Sequence, residues 1–111
     1  MTHASLDGLT LHVRDVERSR EFYSRIPGTE LIAHRPGEFC LFRIGAGMLG
    51  LLQWRQTGFH LEVGVADLEG TYGALRAVGV EPAGPPRDRP WGERTFDVVD
   101  PDGNQLEFQE A

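Results

Sequence analysis

The chain has 111 residues with a formal net charge of −6, and 40% of its residues are hydrophobic, so we expect one globular domain. No apolar run approaches the ~20 residues that cross a bilayer, and no basic-then-apolar leader is seen, so we expect neither a membrane protein nor a secreted one. The single Cys40 excludes an intrachain disulfide and fits a reducing cytoplasm.

The charge is unevenly divided along the chain. Residues 1–55 carry seven Arg and six acidic residues, for +1, and residues 56–111 carry four Arg and eleven acidic residues, for −7. Neither half offers the basic face that a phosphate backbone requires, so nucleic acid is not an expected partner. All 11 basic residues are arginine, which excludes lysine-dependent Schiff-base chemistry.

The first half predicts a strand, a helix and three more strands. Leu9–Val13 alternates apolar and polar residues, as a half-buried strand does. Asp15 is a suitable N-cap for a helix over Val16–Ile26, which Pro27 and Gly28 end. Its predicted buried stripe comprises Val16, Phe22, Tyr23 and Ile26. The strands that follow are Glu30–Ala33, Phe39–Ile44 and Met48–Trp54.

The second half repeats this order at an offset of 52 residues, measured from Asp15 to Asp67. Leu61–Val65 alternates again, and Asp67 caps a helix over Leu68–Val78. Its predicted buried face comprises Leu68, Tyr72, Leu75 and Val78. Three strands are predicted after it, over Val80–Pro82, Arg94–Val99 and Gln105–Gln109. The repeat indicates internal duplication.

Two connections in the second half have recognisable chemistry. Pro101 and Gly103 stand at the second and fourth positions of a four-residue segment, which suits a type I turn closing a hairpin. Turn geometry explains the residues over 100–104 without a ligand. The proline-rich stretch Pro82–Gly92 is long for a simple connection and is a candidate lid or rim loop.

The segments Val13–Tyr23 and Trp91–Phe108 resemble the vicinal oxygen chelate superfamily, which includes glyoxalase I, bleomycin-resistance proteins and extradiol dioxygenases. The Trp91-Gly92 pair is most similar to the bleomycin-resistance branch. The resemblance implies an α+β fold with two tandem βαβββ modules, about 6–55 and 56–111, within one domain. Their mixed sheet would curl around a concave cavity with the helices outside, and two chains would pair as a homodimer.

The resemblance also implies four metal-ligand positions, two in each module. His60, seven residues before Asp67, and Glu107 match those positions, whereas the first module has glycine at both, Gly8 and about Gly50. His12 and Glu62 have the same strand parity as Gly8 and His60, but they are displaced by ~13 and ~7 Å along the strands. We therefore expect His12 to be too distant to replace Gly8 without a rearranged strand, and we expect no metal to bind. A cavity histidine hydrogen-bonded to Glu107 is the simpler interpretation of His60.

Six residues are candidates for ligand binding, and most have a structural alternative. Trp54 is a cavity wall or a rim or dimer contact, and Trp91 stacks on a flat ligand or anchors its loop. Arg94 contacts an anionic ligand or is a solvated strand residue. The full set is His12, Trp54, His60, Trp91, Arg94 and Glu107.

Three functions fit this sequence. The first is a small-molecule-binding protein without a metal, with a mostly apolar cavity and a few polar groups. The second is a metal-dependent lyase, isomerase or dioxygenase that uses His60 and Glu107. The third is a scaffold that has kept the fold and lost the site. The sequence identifies neither a ligand nor a catalytic residue.

Overall fold

The computed structural model describes residues 3–110, in which a strand, a helix and three strands occur twice. The first five elements are β1 (Ser5–Val13), α1 (Val16–Ser24), β2 (Thr29–Arg35), β3 (Phe39–Ile44) and β4 (Gly47–Gln53). The last five are β5 (Gly58–Val65), α2 (Leu68–Ala77), β6 (Arg87–Asp88), β7 (Arg94–Val99) and β8 (Gln105–Glu110). The predicted α+β class and the two βαβββ series are confirmed. Within the described range, neither helix is long and apolar enough to cross a membrane.

The chain divides into two compact units, one formed by Gly8–His60 and the other by the described residues before and after it. Because the boundary falls inside β1 and inside β5, each of these strands continues through it. The grouping of all residues into one domain, with modules divided near residue 55, stays a prediction.

In the unit Gly8–His60 the strand order is β2-β3-β4-β1. β1 and β4 are parallel, and β2, β3 and β4 are joined by antiparallel ladders. The Asp15 carboxylate accepts the backbone N–H groups of Glu17 and Arg18 at 3.1 and 3.2 Å and caps α1 as predicted. The buried core of this unit consists of Val16, Cys40, Phe42 and Leu51.

The predicted stripe on α1 is half correct. Val16 is buried and Tyr23 packs against the core, whereas Phe22 is 57% exposed and Ile26 is 40% exposed. Val16 and Tyr23 are seven residues apart and so lie on one helix face, and Phe22 is rotated away from that face. The helix ends at Ser24, since the N–H groups of Arg25 and Ile26 donate to carbonyls only three residues back.

In the second unit the strands are ordered β5-β8-β7-β6, and α2 packs on the sheet. Phe96 and Phe108 stack with ring centroids 4.9 Å apart, and Tyr72 meets Phe96 edge-on at 5.5 Å. Asp67 caps α2 by accepting the Gly70 N–H at 3.0 Å. The buried core comprises Val63, Val65, Leu68, Phe96, Val98 and Phe108.

Two predictions around the end of α2 were wrong. Val78 is 76% exposed because it is the C-cap and not part of the helix face. The strand predicted over Val80–Pro82 is irregular, because the Val80 N–H closes the helix by donating to the Leu75 carbonyl at 2.9 Å. Pro82 has no N–H to give a ladder. The strand in this place is the two-residue β6, which pairs with β7.

The β7–β8 hairpin closes as predicted. The Gly103 N–H donates to the Asp100 carbonyl at 3.0 Å, and Gly103 has a φ of +91°, a conformation that favours glycine. The Asp100 carboxylate accepts the backbone N–H groups of Asp102 and Asn104. The side-chain amide of Asn104 also donates to this carboxylate at 2.9 Å, and this bond first and the Asn104 backbone N–H second lower the pKa of Asp100, which gives this acidic turn a structural role.

Candidate functional site

The alternation of β5 separates a core face from a polar face. Val63 and Val65 enter the core, and His60 and Glu62 lie on the opposite side of the strand. On the neighbouring strand β8, Phe108 enters the same core and Glu107 points the other way. The two strands thereby present one imidazole and two carboxylates on one face.

The polar groups on this face lie close together. One ligand atom each from His60, Glu62 and Glu107 lies within 4.8 Å of the others, and we call these residues the His60–Glu62–Glu107 cluster. His60 is 7% exposed, and both glutamates are half-buried. His60 and Glu107 are at the ligand positions that the family resemblance implies. For Glu62 the sequence offers only its strand parity, which puts it on the same side of the strand as His60. A displacement of ~7 Å along the strand is within what side-chain reach can offset, and Glu62 joins His60 and Glu107.

His12 contacts His60. Its Nε2 is 2.8 Å from His60 Nδ1, and its Nδ1 is 3.6 Å from where a Cβ on Gly58 would lie. The separation of ~13 Å along the strand concerns the Gly8 position and does not bear on this contact. Burial first, and the charge of His60 second, lower the pKa of His12. His12 is therefore mostly neutral at pH 7, and one imidazole donates to the other.

The two glycines at family ligand positions are packed closely. A Cβ on Gly8 would overlap the carbonyl oxygen of Met48, its partner in the β1–β4 ladder. A Cβ on Gly50 would lie 2.6 Å from Oγ1 of Thr10, which is itself buried. Neither position has room for a side chain, so the four-ligand metal centre that the resemblance implies does not fit this chain.

A smaller metal centre fits the donor set. Bonds from a metal to histidine nitrogen and carboxylate oxygen are ~2.0–2.2 Å, so ligands of one ion lie up to about 4 Å apart. The His60–Glu62–Glu107 cluster, at 4.8 Å or less, reaches this spacing with small side-chain shifts. If His60 donates from Nδ1 to His12, its lone pair is on Nε2, as in many metal-ligating histidines.

Asp97 adds a carboxylate that the sequence analysis missed. It stands directly opposite Glu107 in the β7–β8 ladder, and side chains of such pairs lie on the same face. Its Oδ1 is buried without a hydrogen-bond partner in the described structure, and its Oδ2 is 3.3 Å from the Arg89 guanidinium. The available signal was a carboxylate within the apolar run Phe96–Val99.

Trp91 and Arg94 have partners within the protein. The Trp91 indole N–H donates to Glu93 at 2.7 Å, and the Arg89 guanidinium lies 5.9 Å from its ring centroid. These contacts favour the loop-anchor interpretation of Trp91. Arg94 pairs with Glu69 at 2.8 Å and Asp88 at 3.3 Å, which raises its pKa. Its charge is therefore already compensated on the surface.

Trp54 lies at the end of β4. Its backbone N–H donates to the Val13 carbonyl at 2.8 Å and extends the β1–β4 ladder by one bond. Its side chain lines a pocket with Arg14, Gln53 and Arg55. The ligand-binding roles predicted for Trp54, Trp91 and Arg94 stay predictions.

Solved structures of other proteins share the fold of this chain. No curated protein matches the chain. Methylmalonyl-CoA epimerase from Mycobacterium tuberculosis superposes with a TM-score of 0.80 at 21% identity, over 95% of this chain and 86% of the epimerase. A structure described as NAD-dependent benzaldehyde dehydrogenase from Legionella pneumophila gives 0.78 at 23% identity, over 92% and 96%.

A third similar structure contains a metal. The Mn(II)-bound glyoxalase from Novosphingobium aromaticivorans superposes with a TM-score of 0.75 at 16% identity, over 99% of this chain and 40% of that one. At these identities the likeness shows the fold. The family model described as Glyoxalase/Bleomycin resistance protein/Dioxygenase superfamily matches residues 5–108, and the chain belongs to this superfamily.

Proposed function

We propose that this protein binds a small organic molecule at the His60–Glu62–Glu107 cluster, whose His60 contacts His12. The observation that carries the proposal is the convergence of three ionisable side chains within 4.8 Å on the side of the strands that faces away from the core. A small number of polar side chains that converge on one face of a packed sheet is typical of a ligand site. The third function considered, a scaffold without a site, gives no reason for this convergence.

The site favours a ligand that donates hydrogen bonds. In their ionised forms Glu62 and Glu107 act only as acceptors, and a pKa of His12 below its ordinary value keeps that imidazole mostly neutral at pH 7. A hydroxyl, amino or ammonium group on the ligand matches these acceptors, whereas a carboxylate would be repelled. We propose that the ligand contacts these side chains directly, without a metal, because the first module supplies no ligand atom at Gly8 or Gly50 and the set is smaller than the four positions of metal-dependent relatives.

A metal-dependent lyase, isomerase or dioxygenase is the second candidate, and the donor set of the His60–Glu62–Glu107 cluster favours it. These three side chains would hold a divalent cation. Such a cation polarises a carbonyl or hydroxyl oxygen of the ligand when it is bound. His12 would hold the His60 ring in position through the 2.8 Å contact.

The assembly and location are also proposals. β2 is the end strand of its unit, and Leu31 and Ile32 on it are exposed, which supports pairing into a twofold homodimer. Sedimentation analysis at a chain concentration of tens of micromolar measures whether the protein is a dimer. The reduced, buried Cys40 supports a cytoplasmic location. The bleomycin-resistance branch stays a prediction that rests on the Trp91-Gly92 pair.

Metal titration separates the two candidates. The protein is treated with EDTA, desalted and titrated with Mn²⁺, and bound Mn²⁺ is counted by electron paramagnetic resonance. A metal centre gives one Mn²⁺ per chain in the parent and a loss of roughly tenfold or more in affinity in E62Q and in E107Q. E81Q is the control, because Glu81 pairs with Arg76 on the surface. The metal-free candidate gives no stoichiometric Mn²⁺ in any form.

Ligand binding is tested on the same EDTA-treated protein by thermal unfolding. Ethanolamine is the cationic, hydroxyl-bearing probe, and acetate is the anionic control. We expect ethanolamine to raise the melting temperature of the parent and of E81Q but not of E62Q or E107Q. An equal response of all four forms, or an equal response to acetate, contradicts the proposed site.

A further inference from the structure

A pocket lies at the carboxyl ends of the parallel strands β1 and β4, within the unit Gly8–His60. It has a volume of about 540 Å³ and is lined by Arg14, Gln53, Trp54 and Arg55, which we call the strand-end pocket. All four lining residues are exposed, so the pocket is an open groove on the surface. None of its lining residues belongs to the His60–Glu62–Glu107 cluster.

Backbone hydrogen bonds fix the walls of this pocket. The β1–β4 ladder pairs Val13 with Gln53, and the Trp54 N–H continues it to the Val13 carbonyl at 2.8 Å. Oε1 of Gln53 accepts the Val16 N–H at 2.9 Å and ties the start of α1 to β4. Arg14 and Trp54 follow directly on paired strand ends, so their positions are set by regular structure.

The two arginines of the pocket carry uncompensated charge. Six of the 11 arginines in the chain form ion pairs with carboxylates of the described residues: Arg20, Arg25, Arg43, Arg76, Arg89 and Arg94. Arg14 and Arg55 form none within that range, although the chain has 17 acidic residues. The adjacent Asp15 is engaged by the N–H groups of α1.

An exposed indole lines the same pocket. Trp54 is 54% exposed, so much of its ring is open to solvent in a pocket that Arg14 and Arg55 also line. A guanidinium binds carboxylate or phosphate through a two-pronged hydrogen-bonded contact, and an indole face stacks on a flat ring. We propose that the strand-end pocket binds an anionic group, carboxylate or phosphate, that is attached to an aromatic ring.

The test follows the Trp54 indole N–H signal by NMR in the W91F variant, which leaves Trp54 as the one remaining tryptophan of the two. The probes are benzoate, phenyl phosphate and the uncharged benzamide. We expect saturable shifts with the two anions, of which the tighter identifies the preferred group, and at least tenfold weaker binding of benzamide. R14Q and R55Q should each weaken anion binding roughly tenfold, as expected for a charge-assisted contact. W54A, followed through its backbone signals, should weaken it too.

R18Q is the matched control, since Arg18 is exposed on α1 and lies outside the pocket. It removes the same charge and should leave the affinity unchanged. Equal binding of benzoate and benzamide, equal loss in R18Q and R55Q, or no saturable shift at roughly 10 mM probe overturns the proposal. The rest of the spectrum reports whether each variant is folded. Since the probes and the variants differ from those for the His60–Glu62–Glu107 cluster, either proposal can fail without the other.

Discussion

The packing at Gly50 decides whether this chain has room for a fourth metal ligand, and G50A tests it directly. Gly50 lies in the interior of β4, between Thr10 on β1 and Leu41 on β3. The new Cβ would lie 2.6 Å from Thr10 Oγ1 and 3.4 Å from its Cγ2. Thr10 is 5% exposed and has little freedom to turn away.

Two opposing contributions set the size of the effect. Forcing a methyl group into a packed site costs about 1–3 kcal/mol. Replacing a strand glycine reduces the entropy of the unfolded chain and returns about 0.5–1 kcal/mol. We therefore expect G50A to lower the free energy of unfolding by about 1–2 kcal/mol, a large part of the 5–15 kcal/mol typical of a domain.

Urea denaturation with unchanged m-values measures this difference. G73A is the control, because a Cβ at this position in α2 meets nothing within 4 Å, and it should gain about 0.5–1 kcal/mol. Removing the obstructing hydroxyl in T10A/G50A should make the double variant more stable than the sum of the two single changes by at least about 0.5 kcal/mol. If G50A matches the parent within about 0.3 kcal/mol, the space exists and the packing at Gly50 is looser than the 2.6 Å contact with Thr10 indicates.

Three further predictions concern the two cores and one hub of hydrogen bonds. Hydrogen bonds first from His34 and then from the Gly37 N–H lower the pKa of Glu17 to about 2. The ionised Glu17 therefore stabilises the fold above pH 4.5, which is its ordinary pKa, and this stabilisation is lost as the pH falls from 4.5 towards 2. Urea midpoints of the parent and E17Q should therefore converge in that range, and parallel curves would contradict this. Phe96→Ala should cost about 3–5 kcal/mol in chemical denaturation, because it removes the stack on Phe108; a loss below about 1 kcal/mol would show a loosely packed core. Burial raises the pKa of Cys40 to about 11, so iodoacetamide at pH 8 should label it only after unfolding, and rapid native labelling would refute its burial.

The sequence was a good guide where local chemistry decides the structure. Asp15 and Asp67 cap the two helices as predicted. The first N–H groups of a helix have no partner within the helix, and a carboxylate directly before them accepts their hydrogen bonds. Apolar alternation located β5, whose Val63 and Val65 enter the core. The strand predicted over Val80–Pro82 failed, since the C-terminal hydrogen bond of α2 was not visible in the residue pattern.

The site was less predictable because it depends on which side chains of different strands lie close to one another. Position relative to Asp67 found His60, and position in the last strand found Glu107, but neither method registers a neighbour across a ladder. Asp97 faces Glu107 through strand pairing alone, and His12 reaches His60 through the lengths of two side chains. The ladder position of Asp97 and the contact between His12 and His60 both depend on how the strands are aligned, which periodicity within one strand does not specify.

That register is set by the core and not by the polar groups themselves. In β5 and β8 the buried Val63, Val65 and Phe108 alternate with the polar residues that form the cluster. A slip of one residue in either strand would expose those apolar side chains and bury Glu62 or Glu107 among Phe96 and Val98, at a cost of several kcal/mol. The hydrophobic effect thereby sets which face of the strands these carboxylates occupy. Neutralising one of them, as in E62Q or E107Q, is accordingly expected to change binding while leaving the register and the core in place.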